Sequence, residues 1–335
     1  MTRAPGTGGT GMQHRVCVAP MMDCTDRHCR YFHRLLAPDV GLYTEMITAR
    51  AIVHGDPERL LAFDAGEHPV ALQIGGSEPE ILHRAAAVVR AGYAYDELNL
   101  NVGCPSDRVQ SGRFGACLMA DAELVGDCVR ALAEAWDGPV TVKSRIGIDA
   151  HDSYEFLANF VGTVAAAGCR VFIVHARKAV LQGLSPKENR SIPPLRYDRV
   201  HRLKQEFPAL EIVLNGGIDS VDKAVGELTR VDGVMLGRKA YADPCVLALL
   251  QARCLGGTRP ELPDRAAVVR LMAAYAAAQI EQGARLHHMT RHMHGLYAGQ
   301  PGAARWRRYL AETSSRPDAD AETLLQSLEV FEAAA

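Results

Sequence analysis

The chain has 335 residues, 48% apolar and 23% charged, with a formal net charge of −2. That length fits one (β/α)8 barrel of roughly 250 residues with a smaller appendix. The charge balance excludes a polyelectrolyte, so any nucleic-acid surface must be a local patch.

Residues 1–14 are rich in Gly and Thr and lack an apolar segment, which reads as a disordered leader and not as a signal peptide. Eight short apolar runs follow, at 15–21, 42–47, 69–76, 97–103, 139–147, 170–176, 211–217 and 233–238. Helical patterns lie between them, at 78–91, 121–136 and 154–167, with Ser77, Ser153 and Ser220 as expected N-caps. Val140-Thr-Val-Lys143 and Val171-Phe-Ile-Val174 show no strict alternation at their cores, as expected of parallel strands buried on both faces. The alternation predicts a TIM barrel over 15–255. Long polar loops are expected at 110–116 and 178–194, at the face where barrels build their sites. A Gly- and Pro-rich break near 255–264 leads to an Ala-rich stretch with no strand signal, so residues 265–330 are expected to form a helical domain. Nine cysteines, an odd number with no Cys-x-x-Cys pair, fit a reducing cytoplasm and not a disulfide framework. The longest helical apolar stretch, near 271–280, is too short to span a bilayer.

Nearly every run ends in a residue capable of chemistry. Cys104 follows Asn99-Leu-Asn-Val-Gly103 and suits a nucleophile, a metal ligand or a proton donor. Lys143 and His175 end the fifth and sixth runs. Lys143 either pairs internally with Glu45, forms a Schiff base, or joins His175 in stabilising negative charge on a ligand. Asn215-Gly-Gly217 and Gly237-Arg238 follow the last two runs, where barrels hold phosphate with glycine backbone and positive charge. Gln73 offers donor and acceptor to a polar ring edge, and Met21 offers an apolar contact. Flavin mononucleotide (FMN) fits this set better than a sugar phosphate does. From Arg285 to Arg308 there are five arginines, four histidines and no acidic residue, with Tyr297 and Trp306 interleaved, which suits phosphates and base stacking. His288 and His292 have metal-ligand spacing, but no carboxylate or cysteine lies near them in sequence, so no metal is expected.

The chain resembles the tRNA-dihydrouridine synthases, and most closely their A-type subfamily. The matching segments are Val18-Ala-Pro-Met-Met-Asp-Cys-Thr-Asp26, Ala71-Leu-Gln-Ile-Gly-Gly76, Leu98-Asn-Leu-Asn-Val-Gly-Cys-Pro105, Val142-Lys-Ser-Arg-Ile-Gly-Ile148 and Val174-His-Ala-Arg-Lys178. Gly183-Leu-Ser-Pro-Lys-Glu-Asn-Arg190 and Thr290-Arg-His-Met293 also match, and the first of these points to the A-type.

The resemblance implies an FMN enzyme that reduces uridine to 5,6-dihydrouridine at positions 20 and 20a of the tRNA D-loop, with NADPH as hydride donor. It implies that Ala19, Pro20 and Met21 pack on the flavin and that Gln73, Lys143 and His175 contact its ring and ribityl chain. Asn215, Gly216, Gly217, Gly237 and Arg238 would hold its phosphate. Cys104 would protonate uracil C5, a task suited to a thiol that carries its proton at neutral pH. Asn101, Lys187, Arg190 and Arg307 would meet the tRNA. The segment expected as Gly-Ala-Arg-Ala-Trp reads Gly302-Ala-Ala-Arg-Trp306, which turns Arg305 by about 100° around a helix and leaves Arg307 as the expected contact. A monomeric cytoplasmic enzyme without metal is expected. Two competing readings are a dihydroorotate dehydrogenase-like barrel acting on a free pyrimidine and a tRNA-binding module without catalysis.

Overall fold

The computed structural model describes residues 12–256, 262 and 264–333. Among the described residues nine strands form: β1 (Val16–Val18), β2 (Leu42–Tyr43), β3 (Ile47–Thr48), β4 (Val70–Gly75), β5 (Glu97–Val102), β6 (Val140–Arg145), β7 (Val171–His175), β8 (Glu211–Asn215) and β9 (Gly233–Leu236). They pair in parallel in the order β1-β9-β8-β7-β6-β5-β4-β2, with β3 also on β4. Backbone bonds between Gly41 and both Val16 and Val18 close the ring. All eight expected runs are therefore barrel strands, the second split in two. Residues 1–11 of the expected leader and most of the expected linker lie outside the described residues. Met12 and His14, assigned to the leader, are buried.

The strand pattern sorts side chains into two layers. Leu98, Leu100 and Val102 of β5 join the apolar layer between strands and helices, while Glu97, Asn99 and Asn101 share the other face. β6 likewise alternates, and Thr141, Lys143 and Arg145 share one face. The alternation taken as absent there is present, with its polar members inside the barrel. Cys17, Tyr43, Ala71, Ile173, Val213 and Met235 form a small apolar cluster of their own.

Interior polar groups must find partners, and here they find one another in a single ladder. Glu97 Oε1 accepts from Thr141 Oγ1 at 2.6 Å and from Tyr43 OH at 3.2 Å. Thr141 Oγ1 accepts from Asn99 Nδ2 at 2.8 Å. Gln73 Nε2 donates to Asn99 Oδ1, and Asn101 Nδ2 to Gln73 Oε1, both at 2.7 Å. Beneath the ladder, His14 lies 2.6 Å from Glu97 Oε2 and 3.0 Å from Glu211 Oε1. Burial opposes the imidazolium, but the hydrogen bonds and charges of Glu211 and Glu97 overcome it and raise the His14 pKa to about 10.

Asp121, Ser153 and Ser220 cap their helices. Ser77 does not. Pro79 takes the first helical position, where its missing N–H costs nothing, so the cap falls on Glu78 and makes no capping bond. The C-terminal region is helical at Arg265–Glu281, Leu286–Thr290, Ala303–Thr313 and Ala321–Glu332. Its core includes Phe32 and Leu36 from helix Arg27–Leu36 of the barrel. Trp306 and Tyr297 are buried there, edge to face at 4.8 Å between centroids. They are core residues and not the stacking platforms expected from the sequence.

The raised pKa of His14 means that its ion pairs stabilise the fold fully below pH 6.5 and that this contribution is lost as pH rises towards about 10. Urea denaturation between pH 6 and 10 should show stability falling across that window, and His14→Gln should flatten the fall. An equal fall in the variant would place the source elsewhere.

Candidate active site

Cys104 stands two residues beyond β5, half-buried. Its N–H and that of Gly103 donate to Asn101 Oδ1, at 3.0 and 3.1 Å. The thiol lies 3.5 Å from Ser106 Oγ. Asn101 is thus the top rung of the ladder and the hook on which the Cys104 turn hangs. Its amide and that of Gln73 are both engaged inside the protein. A cavity of about 670 Å³ opens beside Cys104, with Glu45, Met46, Phe114, Arg27 and Arg291 among its walls.

Next to this turn along the mouth stand the cations. The register sets Asn101 beside Lys143, Arg145 beside His175, and His175 beside Asn215. Lys143 Nζ donates to Asn215 Oδ1 at 3.1 Å, and Asn215 Nδ2 to the Met235 carbonyl at 2.8 Å. Lys143 therefore does not take the Glu45 carboxylate, and among the described residues no salt bridge joins the two. Both ends of the Asn215 amide are engaged at the level of Lys143, so it orients that lysine. Burial, then repulsion by Arg145, lowers the Lys143 pKa to about 7. Burial, then Arg145 and Lys143, pushes His175 well below its usual range. Arg145 is spent on the carbonyls of Gly103 and Asn189. Among the described residues, no carboxylate forms a salt bridge with Lys143, Arg145, Arg177, Arg190 or Arg238.

Beyond them lies a cradle. Gly216 and Gly217 have φ of 106° and 68°. A Cβ on Gly216 would come within 2.5 Å of His175 Cδ2, and one on Gly217 within 2.5 Å of Leu195 Cδ1. Only glycine fits this turn. Ala19 N–H donates to Leu236 O at 2.7 Å, which sets Ala19, Pro20 and Met21 beside Gly237. A Cβ on Gly237 would lie 3.6 Å from Met21 Sδ. The buried Arg177 Nε has no partner. A carboxylate-free group of cations, a glycine turn and an unpartnered guanidinium N–H together suit an anionic ligand.

The loop between β7 and the helix Tyr197–Glu206 turns back over this mouth. Buried Asn189 holds it through Val180 N–H and the carbonyls of Val180 and Leu184. Lys187 and Arg190 are exposed on it, and Arg238 Nη2 reaches Arg190 O at 3.4 Å. Arg305, Arg307 and Arg308 are exposed on helix Ala303–Thr313, far along the chain. His292, counted in the basic stretch, is buried against Asp26 and leaves that surface. Among the described residues no three His, Cys, Asp or Glu side chains are placed to hold a metal ion, and no helix is long and apolar enough to cross a membrane. Sequence reasoning missed Arg145, Arg177 and the rungs His14, Glu97, Asn99 and Thr141. The i, i+2 spacing of Glu97, Asn99 and Asn101 was the signal for the ladder.

The family model described as Dihydrouridine synthase (Dus) matches residues 17–334. The chain belongs to the dihydrouridine synthase family. It is 56% identical over 313 residues to the tRNA-dihydrouridine(20/20a) synthase of Xanthomonas campestris, covering 93% of this chain and 92% of that one. It is 54% identical over 317 residues to the enzyme of the same name from Escherichia coli K12, covering 94% and 91%. The Shewanella oneidensis enzyme of that name is 55% identical over 307 residues, covering 92% and 91%. As a member of that family the chain is an oxidoreductase.

Asn101→Ala would strip the Gly103 and Cys104 N–H groups and Gln73 Oε1 of their partners. Stability should fall by about 1–3 kcal/mol, and alkylation of Cys104, followed by peptide mass spectrometry, should change in rate. A variant as stable as the parent with the same Cys104 reactivity would show that Asn101 does not hold the turn.

Proposed function

We propose that this chain reduces uridines 20 and 20a in the D-loop of tRNA to 5,6-dihydrouridine, with FMN as cofactor and NADPH as reductant, working as a cytoplasmic monomer. One juxtaposition carries the reading. Cys104, fixed through Asn101, opens onto the cavity within electrostatic reach of Lys143 and Arg145.

The residues present fit FMN. The Gly216–Gly217 turn, Gly237, Arg177 and Arg238 would hold the phosphate, and Lys143 and His175 would face the ring. Ala19, Pro20 and Met21 would pack against it, and Gln73 would approach its edge with its remaining N–H. A bound flavin supplies the hydride for uracil C6. The protein supplies the proton. The Cys104 thiol donates to C5 as negative charge develops there, and its sulfur becomes a thiolate. Lys143 and Arg145 stabilise that thiolate until solvent in the open cavity returns the proton. Arg190 and Lys187 at the mouth, with Arg307 on the helical region, offer two separate basic surfaces to a bent polyanion, where phosphate contacts set orientation. Asn101, assigned to the tRNA by resemblance, would act through the position of Cys104.

The decisive experiment is nucleoside mass spectrometry of tRNA incubated with the protein, FMN and NADPH, with dihydrouridine mapped by position. Dihydrouridine at 20 and 20a is expected. Cys104→Ala should cut its formation about 10²-fold while flavin and tRNA stay bound. A yellow protein that oxidises NADPH but forms no dihydrouridine in tRNA would favour a free pyrimidine substrate.

Lys143→Met should slow reduction of the bound flavin by NADPH about 10²-fold, the scale of one lost electrostatic donor, and make its midpoint potential more negative. Stopped-flow absorbance and a reductive titration read these. Unchanged values would remove Lys143 from the ring.

A further inference from the structure

We propose that His292 is a positioning residue of this site: from the helical region it braces the two loops that flank the cradle, one after β1 and one after β9. The inference rests on the flavin reading above.

The barrel seam between β1 and β9 is short. Its last backbone bond is Ala19 N–H to Leu236 O, and among the described residues no backbone hydrogen bond joins the two loops above it. His292 spans that gap with its side chain. Its Nε2 lies 2.9 and 3.0 Å from the two oxygens of Asp26, in the β1 loop five residues after Met21. Its Nδ1 lies 3.2 Å from Tyr241 OH, on helix Arg238–Ala242, three residues after Arg238. One tautomer satisfies both of these bonds, with Nε2–H donating to Asp26 and Nδ1 accepting from Tyr241; the Arg291 Nε–H, 3.2 Å from Nε2, then has no acceptor there, and Arg291 turns to Asp26 through Nη2 at 3.4 Å. The imidazole is fully buried, so it has no face to offer RNA.

Independent contacts tighten the same brace. Arg291 Nη2 donates to Asp23 O at 2.7 Å. Asp23 is a non-glycine residue with φ of 61°, a conformation that persists only where neighbours hold it. Gly295 packs so closely on the β9 helix that a Cβ there would lie 2.5 Å from Ala242 O. Asp26 also caps helix Arg27–Leu36. The Thr290-Arg-His-Met293 motif thus works at the flavin end of the molecule, although it belongs to the helical region.

The test compares full-length wild type with His292→Ala and with Tyr241→Phe, which removes only one hydroxyl and keeps the fold testable. Three quantities are read: amide exchange of residues 21–26 without cofactor, FMN affinity with the visible circular dichroism of the bound flavin, and tRNA affinity. For His292→Ala, exchange should quicken and FMN affinity should fall by about tenfold, the scale of coupling between linked sites. The dichroism should change and tRNA affinity should stay within about twofold. Tyr241→Phe should shift exchange and FMN affinity the same way by less. Loss of tRNA affinity with normal flavin binding would overturn the proposal, as would variants that match wild type in exchange and in flavin binding. Wild type that binds no FMN would sink the flavin reading and this inference with it. Wild type that binds FMN beside unchanged variants would sink the inference alone.

Discussion

A carboxylate has no proton to give, and the arrangement above Glu97 follows from that. Thr141 must donate to it, so the Thr141 oxygen is left to accept from the Asn99 amide. The Asn99 carbonyl then faces the Gln73 amide, and the Gln73 carbonyl faces that of Asn101. The last carbonyl in the series has only the Gly103 and Cys104 N–H groups to accept from. One charge at the barrel floor thereby sets which way three side-chain amides face and where the Cys104 turn sits. A ladder of this kind works only when complete, because each rung removed strands a donor and an acceptor in a dry interior.

The interior is also divided by charge along its axis. Glu97 and Glu211 sit at the floor with His14 between them, while Lys143, Arg145, His175 and Arg177 sit at the mouth. Burying so many cationic or proton-bearing groups without a carboxylate is costly, and the lowered pKa values of Lys143 and His175 record that cost. The arrangement suits an anion from outside. Unbalanced buried charge marks a candidate functional site, and the glycine turn at 216–217 would leave space for the phosphate of the proposed flavin.

Much of this was legible in the sequence. The eight runs announced the barrel because parallel strands need crossover helices, and the residues at their C-terminal ends announced the mouth. Cys104, Lys143, His175 and the glycine turns were found in that way, and they do converge. The ladder was not found, because attention to apolar content hides polar residues that recur every second position. The true partners of Lys143 and Asn215 depend on strand register, which no local pattern specifies. Tyr297 and Trp306 were misjudged because an aromatic among arginines looks the same whether it faces solvent or a helix core. His292 was counted as surface charge because its partner Asp26 lies at the other end of the chain.

The core shared by helix Arg27–Leu36 and the C-terminal helices bears on how the chain is made. Phe32 and Leu36 emerge among the first residues of the barrel, yet most of the core they join, from Val268 to Leu328, comes far later in the chain. Until residues 265–328 emerge, the Phe32 and Leu36 face of that helix lacks most of its native partners. A barrel made without its C-terminal helices therefore exposes an apolar face, the kind of surface that makes a folding intermediate prone to aggregate.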